Sequence, residues 1–239
     1  MKVYATSAEL KARARGALTG HYLSCVGAYV TLMVMQYVIT VPGALLDVKP
    51  PLGIILYYGL NFLLDLFFAI FKVGIACMFL SNACGHPIHA NTIFTGFWNS
   101  PGKAMQIQCF PSLLLFLPTI LPDLCLQQFF VSKNDRWLIY GLAIALIFLP
   151  LALYVEIIYS QVYFIMLDFP EMEAVECLRA SRKLMKKNKG RYFYLMLSFL
   201  PLSLLGTLSC GIGNLFLFPY KQQTYANFYL DLIEKKQAS

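Results

Sequence analysis

The longest run of charge in this sequence, Asp168 to Arg191, stands between apolar blocks that are each long enough to cross a bilayer. That alternation limits the fold severely, because a segment in hydrocarbon must satisfy its own backbone polar groups and therefore forms a helix. The charged run, DFPEMEAVECLRASRKLMKKNKGR, reads as a cytosolic helix between membrane helices. Glu171, Glu173 and Glu176 occupy its first half and Arg179, Arg182, Lys183, Lys186, Lys187 and Lys189 its second, the order that complements a helix dipole. Asp168 and Glu171 have capping-box spacing, and Pro170 falls in the first turn, where a missing N–H costs nothing. The preceding membrane helix is therefore predicted to stop at Asp168.

Composition excludes a water-soluble domain, since 59% of the 239 residues are hydrophobic and only 13% are charged. The net charge of +7 collects before the first apolar block and between Arg179 and Arg191, which is a signal of membrane topology. Nucleic acid is not the expected partner, because no recognition motif accompanies these residues and the neighbouring blocks span a bilayer. The seven cysteines are odd in number and lie mostly in apolar runs, so they imply no disulfide framework.

From the N-terminus, Thr6 to Gly20 reads as a short amphipathic helix on the cytosolic membrane surface. Thr6 and Glu9 have capping-box spacing, while Leu10, Ala14, Ala17 and Leu18 share a side. The block from Tyr22 to Leu46 is too long for a signal-peptide core and is the first transmembrane helix. Lys2, Lys11, Arg13 and Arg15 against Glu9 place the N-terminus inside, and Pro42 and Gly43 loosen the outer end of the first span.

The second block, Leu52 to Leu80, carries Asn61, Asp65 and Lys72 on or near one helical face. A charge at mid-membrane costs at least about 2.5 kcal/mol, so Asp65 is expected to face protein, a partner charge or water. Lys72 lies seven residues on, about 10 Å along the axis, and a direct pair needs both side chains to reach. This set reads either as a relay or polar substrate site, or as a buried packing contact.

Ser81 to Met105 is polar and reads as a cytosolic turn, with Phe94, Phe97 and Trp98 at the interface. Cys84, His86 and His89 fall close together, but no second cluster completes a metal site, and no metal or cofactor is expected. The third block, Gln106 to Phe130, contains Pro111, Pro118 and Pro122 and is predicted to be kinked or broken and to pack inside the bundle. After an outer loop at Lys133, Asp135 and Arg136, Trp137 to Leu167 forms the fourth block, interrupted by Pro150. Glu156, Ser160 and Tyr163 share a face of it, and Glu156 is the second intramembrane acid, with a serine or tyrosine on a facing helix as its expected partner.

Beyond the charged run, Tyr192 to Phe218 is either a single fifth span or the start of a hairpin that turns at Gly211 and Gly213 and returns a sixth helix to the cytosol. The hairpin is the favoured reading. It brings Tyr220, Lys221, Gln222, Gln223 and Thr224 into a region where they must face other helices or the interface. The whole chain is thus read as one all-α domain: an amphipathic helix over 1–20, four transmembrane helices over 22–167, the charged helix over 168–191 and a helical hairpin with its tail over 192–239. That makes six transmembrane helices, or alternatively five.

SRKLMKKNKGRYFYLMLSF from Ser181 to Phe199, GIG at Gly211 to Gly213, PY at Pro219 and Tyr220, and TYANFY from Thr224 to Tyr229 resemble the C-terminal signature of a bacterial family of unknown function, DUF975. The resemblance extends upstream through YSQVYFIMLDFPEMEAVECLRAS and more weakly through IFTGF to the N-terminus. Lys187 stands where that family usually has glycine, and Pro201 and Leu202 where it has Gly-Trp. The resemblance implies a multi-spanning protein of the bacterial plasma membrane and no established reaction.

No phosphate-binding loop, His-Glu-x-x-His or Gly-x-Ser-x-Gly elbow is present, so catalytic chemistry has no motif to rest on. Three functional expectations follow. The first is a non-enzymatic protein organising the membrane or an envelope complex, with Lys183, Lys186, Lys187 and Lys189 facing anionic lipid headgroups. The second is a carrier or permease component using Asp65, Lys72 and Glu156. The third, an enzyme acting on lipid, needs a convergent polar pocket. The N- and C-termini are both expected in the cytosol.

Overall fold

The computed structural model describes residues 4–44, 52–87 and 89–237, and every regular element among them is helical. Lys2, Leu46 and the last tail residues lie outside this set, as does the side chain of Lys236. The helices are α1 (Ser7–Leu18), α2 (Tyr22–Ala44), α3 (Leu52–Ala83), α4 (Thr95–Trp98), α5 (Pro101–Ser132), α6 (Asp135–Tyr159), α7 (Val162–Asp168), α8 (Ala174–Met185), α9 (Lys189–Leu197), α10 (Leu200–Leu208) and α11 (Ile212–Gln237). A 3₁₀ turn, Ala90–Phe94, precedes α4.

Among the described residues, five segments are long and apolar enough to cross a membrane: Tyr22–Ile39, Leu56–Ala83, Pro101–Ser132, Asp135–Asp168 and Lys189–Leu208. Their outward faces carry large apolar side chains such as Leu113, Leu117, Phe130, Leu142, Leu146 and Ile147, which a water-soluble surface does not display in such a band. The sixth limb, α11, exists as a helix but is not among these five. It is the polar centre of the bundle, packing against α1, α2, α3 and α10. Gln223 and Thr224 are fully buried on it, as the composition of that stretch demanded. Asn82 donates to Gln223 Oε1 at 2.6 Å, and Gln223 Nε2 donates to the Phe79 carbonyl at 3.2 Å. The turn into α11 is made by Cys210 and Gly211, both at positive φ, whereas Gly213 already lies within the helix.

The segment leading into α1 meets the last turns of α11. The Ala5 N–H donates to Asp231 Oδ1 at 3.1 Å, Arg191 bridges Asp231 and the Ala5 carbonyl, and Asn227 donates to the Leu10 carbonyl. The start of α1 and the end of α11 therefore lie on one side. α1 has the predicted capping box of Thr6 and Glu9. Its apolar side is covered by protein, with Leu10, Ala14 and Leu18 buried, instead of lying open on the membrane surface.

The charged run departs from expectation at both ends. α8 begins at Ala174, and its capping box is Glu173 with Glu176, not Asp168 with Glu171. Asp168 closes α7, and its carboxylate accepts from the Tyr229 hydroxyl at 2.6 Å, which ties it to α11 in place of capping a helix. The run then breaks at Lys186 to Asn188, and Lys189 opens α9. One face of α8, with Cys177, Ser181 and Met185, is buried in the bundle.

The prolines of α2, α5 and α6 do not break their helices, whereas the fifth span breaks between α9 and α10 just before Pro201. α5 is continuous through Pro111, Pro118 and Pro122, α6 through Pro150, and α2 through Pro42. Within the proline-bearing stretch of α5, the Thr119 hydroxyl donates back to the Leu115 and Phe116 carbonyls of the preceding turn. α5 also lies at the periphery, paired with α6, and not inside the bundle. The fourth block breaks instead at Ser160 and Gln161, between α6 and α7. The predicted outer loop reduces to Lys133 and Asn134, since Asp135 and Arg136 already belong to α6.

Phe94 and Phe97 pack on Phe71 of α3, with ring centroids 6.0 and 5.2 Å apart, while Trp98 alone of the predicted interfacial trio stays open at the surface. Two glycines permit this contact: a Cβ on Gly74 would overlap the Ile93 carbonyl, and one on Gly96 would overlap the Ile70 carbonyl.

Candidate functional site

α3 carries Tyr58, Asn61, Asp65 and Lys72 at steps of three, four and seven residues, with Ala76 one turn further on, so one stripe of the helix holds four polar side chains. Lys72 Nζ lies 3.2 Å from Asp65 Oδ1, so the two side chains do span the seven-residue gap. The other carboxylate oxygen, Oδ2, accepts from Gln108 Nε2 at 2.9 Å and from the Ser112 hydroxyl, both on α5. Gln108 Oε1 in turn accepts from the Tyr163 hydroxyl of α7 at 2.6 Å. Three helices thus converge on one hydrogen-bonded cluster, which solves the desolvation problem that an acid poses in this position.

Two cavities follow one another along the stripe. One, of about 390 Å³, lies between α3 and α5 and is lined by Tyr58, Asn61, Asp65, Ser112 and Thr119. The second, of about 420 Å³, lies between α2, α3, α7 and α11 and includes Lys72, Ala76, Ser160, Tyr163 and Gln222. Both are in the size range of small-molecule sites. The carboxylate belongs to the first cavity and the ammonium to the second, so the ion pair stands at their junction. Nearer the opposite end of the first cavity, Asp123 of α5 accepts from the Tyr58 hydroxyl at 2.6 Å, and Gln127 donates to the same pair.

The other predicted residues are dispersed. Asn61 lines the first cavity and donates to the Tyr57 carbonyl, a bond within its own helix. Glu156 is not part of the Asp65 cluster; its charged neighbour is Lys221 on α11. Lys221 itself donates to the Ser203 hydroxyl at 2.7 Å. Lys183, Lys186 and Lys187 are exposed, whereas Lys189 donates to the Tyr154 hydroxyl at 3.2 Å and lies over its ring. Cys84 and His86 sit in the turn after α3, and among the described residues no three His, Cys, Asp or Glu side chains are grouped to hold a metal.

Sequence reasoning missed Gln108, Ser112 and the bond from Tyr163. The available signal was the i, i+4 spacing of Gln108 and Ser112 inside an apolar block, which puts two hydrogen-bonding groups on one face.

Over residues 1–236 the chain matches the family described as protein of unknown function, DUF975. It belongs to that family. Neither a curated protein nor a solved structure matches it. In this DUF975 protein the match covers the stripe on α3 together with all of its partners on α5 and α7.

Proposed function

We propose that this DUF975 protein is a non-enzymatic carrier component of the cell membrane, with both termini in the cytosol, that passes a small solute along the α3 stripe. The observation that carries this reading is the placement of two cavities end to end on one helix face with the Asp65–Lys72 pair between them. An ion pair that draws further bonds from α5, which Gln108 ties in turn to Tyr163 of α7, is suited to open and close as those helices shift, which is how a carrier exposes a site to one side at a time. Lys11, Arg13 and Arg15 at the N-terminal end, and the contact of Ala5 with Asp231, support a cytosolic placement of both termini.

An organising role at anionic lipid is the second reading. It is favoured by the exposed Lys183, Lys186 and Lys187, but the apolar faces of α1 and α8 are occupied by protein, which leaves charge alone to hold the lipid.

The test compares cells producing the natural protein with cells producing Asp65→Asn at equal membrane abundance, using mass spectrometry of cell and medium solutes. A carrier shifts at least one solute pool several-fold, and Asp65→Asn removes the shift. Glu156→Gln leaves it in place, because Glu156 lies off the stripe. Identical pools in cells with and without the protein would contradict the reading.

A further inference from the structure

The hydrogen-bonding capacity left over at the ion pair is one-sided. Asp65 has Oδ1 engaged by Lys72 and Oδ2 engaged by Gln108 and Ser112. An ammonium has three N–H donors, and Lys72 uses one of them on Asp65. Its side chain is 41% exposed and lies on the wall of the second cavity. That cavity therefore meets a donor with positive charge and no competing carboxylate among its lining residues.

Most of the remaining wall surface is apolar, although Gln36, Ser160, Tyr163 and Gln222 also line it. Leu32, Phe68, Phe71, Ile75 and Phe218 give it an apolar surface, and Met33 of α2, 45% exposed, stands where the cavity meets the outside of the bundle. A fully hydrated ion gains nothing from such a wall, whereas an alkyl chain does. A strongly polar solute without a tail would lose water against five apolar side chains and recover few contacts beyond Lys72, since the Ser160 and Tyr163 hydroxyls already donate to the Ile157 carbonyl and to Gln108.

From this combination we infer that the second cavity binds a single-chain amphiphile with an anionic head, the head on Lys72 and the chain against α2 and α11. The inference rests on the reading of this cavity as a station on the solute path, and it names the class of solute. Carboxylate and phosphate monoester heads share the chemistry that Lys72 recognises. The Gln222 side-chain amide lines the same cavity and is a further N–H donor for either head.

The full chain in phosphatidylcholine nanodiscs, titrated with a nitroxide-labelled long-chain carboxylate and read by the immobilised component of its spin resonance spectrum, tests this directly. Expected is saturable binding that falls about tenfold or more in Lys72→Met, the loss of a charge-assisted hydrogen bond, and stays within about threefold in Lys72→Arg. A chain-length-matched amine and a short-chain carboxylate should each compete at least about tenfold more weakly. A matched alkyl phosphate competes as well or better, and its ranking against the carboxylate identifies the preferred head.

Ala76→Phe, which fills the cavity without touching the charge, should also remove binding. Retention of the fold in each variant is checked by its helical circular dichroism and thermal transition. Equal competition by amine and carboxylate, or binding unchanged in a folded Lys72→Met protein, would overturn the inference. The two proposals also fail separately. Lys72-dependent binding with solute pools indifferent to Asp65→Asn removes the carrier and keeps the ligand site. Pools that respond to Asp65→Asn, with no amphiphile bound, keep the carrier and remove the ligand class.

Discussion

Lys72 Nζ lies 3.2 Å from Asp65 Oδ1, seven residues back along the same helix, at the junction of two cavities. Residues seven apart are on one face but about 10 Å apart along the axis, so both side chains must extend toward each other to meet. The extension places the acid with the α5 partners and the base with the α2 and α11 wall.

The pair should show measurable but modest coupling. Both side chains are about 40% exposed, so solvent weakens the interaction relative to a fully enclosed pair. A double-mutant cycle of Asp65→Asn and Lys72→Met, followed by unfolding in detergent, is expected to give about 1 kcal/mol of coupling. Strictly additive single effects would mean that the two side chains act independently.

Gly74 and Gly96 are predicted to be intolerant of even one methyl group. Each lets a helix backbone approach a carbonyl of the other element, Ile93 in one case and Ile70 in the other. Gly74→Ala and Gly96→Ala should each cost about 2 kcal/mol by overpacking, seen as a lower thermal transition of the purified protein. Gly102→Ala, whose Cβ meets nothing, is the matched control. A control as damaging as the other two would discount the close approach.

The bridge from Arg191 to Asp231 holds the N-terminal segment in place. Its 2.8 Å contact is joined by the bond from Ala5 N–H to the same carboxylate, and the pair is more enclosed than Asp65 with Lys72. Asp231→Ala is expected to destabilise the docking of α1 by about 2 kcal/mol, since it leaves Arg191 without its counter-charge. Trypsin should then cut faster at Arg13 and Arg15, which are exposed on α1. An unchanged cleavage rate would show that α1 is held by Leu10, Ala14 and Leu18 alone.

The natural cysteines report both topology and burial. Cys84 and Cys210 are exposed at opposite ends of the bundle's spans, while Cys177 is fully buried on α8. Burial pushes the Cys177 thiol up, opposed by the nearby Lys103, and lowers its thiolate fraction at neutral pH. In intact cells a membrane-impermeant maleimide should label Cys210, reach Cys84 only after permeabilisation, and react with Cys177 last. Labelling of Cys84 before permeabilisation would invert the proposed orientation.

Among the basic residues proposed for anionic lipid, Lys189 is expected to matter least because Tyr154 already holds it. Replacing Lys183, Lys186 and Lys187 with glutamine should weaken association with anionic vesicles by up to about 1 kcal/mol per charge. Vesicle binding that follows Lys189→Gln instead would contradict the assignment.

Block length and apolarity were enough to read the helical membrane class, the hairpin at Gly211 and the polar character of α11. They were a poor guide to breaks. The sequence reads α5 as kinked or broken and α6 as tilted or kinked at their prolines; both helices continue through them, while the interruption at Ser160 and Gln161 contains neither proline nor glycine. A membrane helix has no water to satisfy a broken backbone, which favours bending over breaking at a single proline.

The start of α8 was misplaced because two overlapping acidic patterns compete, and Asp168 is claimed by Tyr229 from a distant part of the chain. The same holds for the site. Asn61, Asp65 and Lys72 share a helix, and their periodicity is visible locally, whereas Gln108 and Ser112 reach Asp65 across 43 and 47 residues of sequence. No local pattern encodes that pairing.

The central claim is that water or solute reaches the α3 stripe. It is tested most directly by single cysteines at Asn61, Asp65, Lys72 and Ala76, with Leu63 as the outward-facing control, in a cysteine-free background probed with a charged, water-borne thiol reagent. The path predicts labelling at the four stripe positions and protection at Leu63. Protection at all four, with the C-terminus labelling normally after permeabilisation, would make Asp65 and Lys72 a sealed packing contact and end the carrier reading.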